Sequence, residues 1–106
     1  MARALVNVPK TAKRGEVVDV KALISHPMET GYRPGPNGRL LPRDIIDTFT
    51  CTYNGTEVFG IDLHPAMSAN PYLAFTLVAT ESGTLTMTWS GDHGFRQSET
   101  VAIEVA

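Results

Sequence analysis

Three imidazoles and one thiol are the side chains in this sequence that could hold a metal or act as nucleophile and base: His26, His64, His93 and Cys51. Small β-domains can carry non-haem iron or copper on such ligands, so a redox metal centre is the first chemistry to weigh. Spacing gives it no support. No two of the four fall in an i, i+2 or i, i+4 pair, and ligand clustering is what makes such a signal specific. Cys51 lies inside "FTCTY", on the strand face shared by Phe49 and Tyr53, which predicts a buried thiol. Its neighbours Thr50 and Thr52 offer no charge that would lower its pKa. Ser25 beside His26 is not a nucleophile–base pair, because adjacent strand residues point to opposite faces. The sequence also lacks paired carboxylates in an obvious cleft. A small redox metalloprotein with His and Cys ligands stays as the alternative reading; catalysis, a cofactor and a metal are not expected.

Two of the histidines precede proline, in "ISHPMETG" and "DLHPAMSANPYLAF". Proline has no N–H for a ladder and biases the residue before it toward extended geometry, so His26 and His64 are expected at strand exits. His93 lies in "GDHG" and is expected to be solvated.

The elements that would position these residues are strands. Apolar residues recur every second position in short runs bounded by turn residues, and no segment has a convincing helical period. The runs are Arg3–Val8, Glu16–Ser25, Ile46–Tyr53, Glu57–Leu63, Tyr72–Ala79, Thr84–Ser90 and Phe95–Val105. "KTAKRG" is expected as a basic turn between the first two. Val18, Val20, Ala22 and Ile24 share one face of the second run, while Val17 and Leu23 suggest that its other face is covered too. Asn54-Gly55 supplies the two positive-φ residues of a type I′ hairpin between the third and fourth runs. Leu85, Met87 and Trp89, with Leu73, Phe75, Leu77 and Ala79, are the expected inter-sheet core. About seven antiparallel strands without helices predict an all-β, immunoglobulin-like β-sandwich, one domain over residues 1–106. Met28–Asp44, rich in proline and glycine, is the long irregular connection, and such connections are often functional.

With a net charge of −2, the chain lacks the basic excess of a nucleic-acid or membrane-surface binder. Charge is unevenly placed: eight of the nine Lys/Arg lie in Met1–Arg43, while eight of the eleven Asp/Glu follow. The single cysteine excludes an internal disulfide. No apolar run approaches the ~18 residues of a membrane span, and "MARALVNVPKTAKRG" does not read as a secretory signal. What the residues leave is a binding module.

The strings "KALISHPMETG", "PRDII", "FTCTYNG", "DLHPAMSANPYLAF" and "ATESGTLTMTW" closely resemble the SoxZ family, the Z subunit of the sulfur-carrier complex of bacterial thiosulfate oxidation. The resemblance covers nearly the whole chain in order. It implies an immunoglobulin-like sandwich that pairs as a heterodimer with SoxY, whose cysteine-bearing C-terminal arm carries the sulfur intermediates. It implies the non-carrying half here, since no such arm follows "ETVAIEVA" and Cys51 lies mid-strand. It implies transient contact with other Sox enzymes, and work in the periplasm after export with a signal-bearing SoxY. The isolated chain could pair with itself through the same apolar surface. By residue type and loop position, the expected partner interface is Met28, Tyr32, Arg43, His64, Met67, Asn70 and Tyr72.

Overall fold

The computed structural model describes residues 3–64 and 69–106. Eight strands run β1 (Ala4–Asn7), β2 (Thr11–Ala12), β3 (Val17–Ile24), β4 (Ile46–Tyr53), β5 (Thr56–Asp62), β6 (Tyr72–Val78), β7 (Gly83–Gly91) and β8 (Arg96–Val105). They form a three-stranded sheet, β1-β3-β6, and a five-stranded sheet, β2-β8-β7-β4-β5. The fold is the expected immunoglobulin-like sandwich, and no described helix is long and apolar enough to cross a membrane.

Alternation along each strand builds the core. Val18, Val20, Ala22 and Ile24 of β3 face Phe49, Cys51 and Tyr53 of β4 and Leu85, Met87 and Trp89 of β7, and all of them are buried. Phe49 sits at the centre, with ring centroids 5.2 Å from Trp89 and 5.9 Å from Phe75. Phe59 stacks flat on Phe75 at 4.2 Å, tying the two sheets together at the β5–β6 side. Aromatic pairs in such offset geometries add to the burial of apolar area, which is the main stabilising term.

Two expectations need correction. The "KTAKRG" segment is not only a turn: Thr11 and Ala12 form a short strand parallel to β8, paired with Glu104 and Val105. The described residues therefore form eight strands, and the larger sheet is mixed. Secondly, nothing described covers the outer face of β3, where Val17 is exposed and Leu23 half-buried.

The hairpin forms at Asn54-Gly55 with φ of 50° and 85°. Asn54 does more than turn the chain: its Oδ1 accepts from the Thr84 N–H at 2.8 Å, so a side chain at Gly83 would collide with it. Beside it, the Tyr53 hydroxyl donates to the Glu81 carbonyl and accepts from the N–H groups of Thr80 and Glu81. That fastens one end of the sandwich. The other end gathers the 25–45 connection, Leu63, His64 and residues 69–71, and the β7–β8 turn.

Candidate docking end

His26 is the hinge pin of that second end. It follows β3, is buried, and packs edge-on against Phe95 at 5.2 Å. Its Nδ1 accepts the Met28 N–H at 3.0 Å, which leaves the ring proton of the neutral form on Nε2, 3.8 Å from Asp44 Oδ1. Its backbone is clamped as well, since the His26 N–H donates to Asn70 Oδ1 at 2.9 Å and its carbonyl accepts the Asn70 N–H at 2.8 Å. Asn70, with φ of 54°, thus joins the two long connections.

The 28–45 segment is less irregular than its composition suggests. Glu29 and Asp44 exchange both backbone hydrogen bonds at 2.8 Å, and farther out Gly35 and Leu41 donate to Arg39 and Arg33. The chain folds back on itself as a distorted hairpin. Gly31 is required at its base, because φ is +89° and a Cβ there would come 3.1 Å from that of Arg43. Arg33 pairs with Glu29 at 2.6 Å on one flank. On the inner flank, Arg43 makes a two-point bond to Asp92, Nε to Oδ2 at 2.8 Å and the terminal nitrogen to Oδ1 at 2.6 Å. Asp92 Oδ2 also accepts the Ile45 N–H at 3.1 Å, and His93 Nε2 lies 2.9 Å from the Arg43 carbonyl. The Arg43 hydrogen bonds hold the Asp92 carboxyl below its ordinary range, and Asp92 in turn raises Arg43.

This arrangement sorts the expected interface residues. Met28 is only 4% exposed, and its sulfur accepts the Ile46 N–H at 3.3 Å, so it is part of the core and not a contact surface. Its position after His26-Pro27 turns it inward with φ of 51°. Arg43 is half exposed, but its guanidinium is occupied by Asp92. Asn70 is a clamp between connections. Tyr32, 79% exposed, and Tyr72, 56% exposed, are the two that present broad apolar area, and His64 is exposed. Met67 lies outside the described residues. Leu40, exposed on the same folded-back segment as Tyr32, was missed by residue-type reasoning, although its apolar character among Gly, Pro and Arg was a signal.

Among the described residues no three His, Cys, Asp or Glu side chains come together as a metal group. Cys51 is buried against Met87, with Sγ 3.7 Å from Sδ, and burial pushes its thiol up to about 11. His26 commits Nδ1 to Met28, and His93 is exposed in the β7–β8 turn.

Superoxide reductase (neelaredoxin) from Ignicoccus hospitalis is similar in structure, with a TM-score of 0.72 and 16% identity over 97% of this chain and 80% of that one. The sulfur carrier protein SoxY from Chlorobium limicola f thiosulfatophilum gives 0.68 and 15%, over 97% and 78%. A CARDB domain from Pyrococcus furiosus gives 0.61 and 12%, over 99% and 94%. At these identities the likeness carries the fold alone. No curated protein matches the sequence. The family model of the sulphur oxidation protein SoxZ matches residues 6–102. Spanning nearly all of the described sandwich, that match shows that the chain belongs to the SoxZ family.

Proposed function

We propose that this member of the Sox sulfur-oxidation system is a non-catalytic partner subunit, which binds a SoxY-type carrier and presents it to the enzymes that act on its sulfur cargo. The family match over residues 6–102 is the observation that carries this reading. Two features of the molecule support it. The lone thiol is buried and pushed up to about 11, which suits a packing role and not the carriage of sulfur. The His26 end holds its connections by buried and two-point hydrogen bonds, so Tyr32 and Leu40 are displayed on a segment that loses little freedom on docking.

The docking residues are Tyr32, Leu40, His64 and Tyr72, with Asn70 and Arg43 as the internal ties that shape the end and Met28 as its buried support. Function is placed in the periplasm, reached in company with a signal-bearing SoxY-type partner. The test is co-expression with the SoxY-type protein of the same genome, followed by affinity capture. A 1:1 complex weakened by Tyr32→Ala supports the reading; a chain that never co-purifies refutes it.

A further inference from the structure

The outer face of the three-stranded sheet carries a pattern that is complementary to itself. Cross-strand register places Leu5, Leu23 and Tyr72 in one row near the docking end, and Val17 and Val78 in a row at the opposite end. Leu5 is 59% exposed, Val17 62% and Val78 49%. Between these apolar ends, β3 points Lys21 and then Asp19 outward, beside the small side chains Ala74 and Thr76 of β6. Among the described residues neither Lys21 nor Asp19 belongs to an ion pair.

We propose that this face pairs with the same face of a second copy of the chain. A twofold axis across the strands, at the level of Val20, lays β3 antiparallel over β3 of the other copy. Lys21 then faces the other copy's Asp19, twice by symmetry, and the Leu23–Tyr72 row covers the opposite Val17–Val78 row. Such an isologous contact needs a surface that complements itself under the axis, which this face provides. The alternative axis, along the strands, sets Lys21 against Lys21 and Asp19 against Asp19, and like charges opposed in this way exclude it. Ala74 and Thr76 are small enough to allow the ~10 Å approach of packed sheets.

Size sets the strength. Strands of four, eight and seven residues (β1, β3 and β6), at ~4.8 Å spacing and ~3.4 Å per residue, give a flat face of roughly 300 Å² per copy, so pairing buries on the order of 600 Å² in total, below the usual size of a stable specific interface. The dimer is therefore weak and concentration-dependent. It goes beyond the proposed function, and because Tyr72 belongs to both surfaces, self-pairing and docking of the carrier compete for it.

The experiment is sedimentation equilibrium of the purified full chain over a concentration series. Both charges lie outside the core, so folding of the variants is checkable by circular dichroism. Wild type is expected to show a monomer–dimer equilibrium. Lys21→Asp and Asp19→Lys are each expected to weaken it by about tenfold or more. An equal mixture of the two variants then forms a heterodimer, because each residue again meets its opposite. A wild type that stays monomeric, or dimerisation indifferent to both reversals, overturns the proposal. If the reversals instead disrupt only capture of the SoxY-type partner, the face belongs to that partner and the second copy is wrong; if capture fails while the charge exchange holds, only the proposed function falls.

Discussion

Cys51 and Met87 meet at the middle of the core, where the thiol is pushed up to about 11 by loss of water around it. At neutral pH the reactive thiolate is therefore scarce as well as shielded. In native protein, a thiol reagent at pH 7.5 is expected to leave Cys51 unmodified, and denaturant should make it react at once; rapid labelling of the folded chain would contradict the burial. The same core sets the largest stability effect. Phe49 is fully buried among Phe59, Phe75 and Trp89, so Phe49→Ala is expected to cost about 3–5 kcal/mol in urea unfolding. Cys51 and Phe49 were both legible in the sequence, because strand alternation alone places them on the inner face. His26 was legible only as a strand exit. Its use as a buried acceptor for the Met28 N–H depends on Asn70 and Phe95, 44 and 69 positions away, which no local pattern brings together.

Among the elements, the 28–45 segment and the β7–β8 turn depend on one another through Arg43 and Asp92. Asp92 has a lowered folded-state pKa, so its contribution to stability is present above the unfolded value, ordinarily 3.8, and is lost as pH falls through the lower folded value. Comparing thermal unfolding of wild type and Asp92→Asn should show a constant gap from neutral pH down to about pH 5, closing below pH 4. A gap that does not change with acid would remove the ion pair from the account. The strand limits were readable to within a residue or two from period-2 alternation and from Asn54-Gly55. The parallel β2 was not, since two residues are too few to show a period and their partner strand lies at the far end of the chain. Nor was the pairing inside 28–45, where Pro and Gly read as irregular while Glu29 and Asp44 close the base by backbone bonds. For the same reason Met28, chosen as an adaptable surface contact, is core: the turn after His26-Pro27 directs its side chain inward.

Taken whole, the molecule presents a candidate docking end with Tyr32 and Leu40 and a flat sheet face with Leu5, Leu23 and Tyr72. Exposed apolar area rimmed by polar residues is where association energy is available, and Tyr72 belongs to both the connection end and the sheet face. Charge is spread so that Lys10, Lys13 and Arg14 flank the β2 edge of the larger sheet while Glu57 and Asp62 lie on its β5 edge. Complex formation with a SoxY-type carrier is the central claim, and side-by-side capture of wild type, Tyr32→Ala and Phe49→Ala separates docking from folding. Tyr32 is exposed, so its loss should leave thermal stability within about 0.5 kcal/mol of wild type while reducing capture. The most direct measurement is titration calorimetry of the folded chain against the SoxY-type protein of the same genome. The account predicts saturable 1:1 binding weakened by Tyr32→Ala at unchanged stability; a titration with no binding would contradict it.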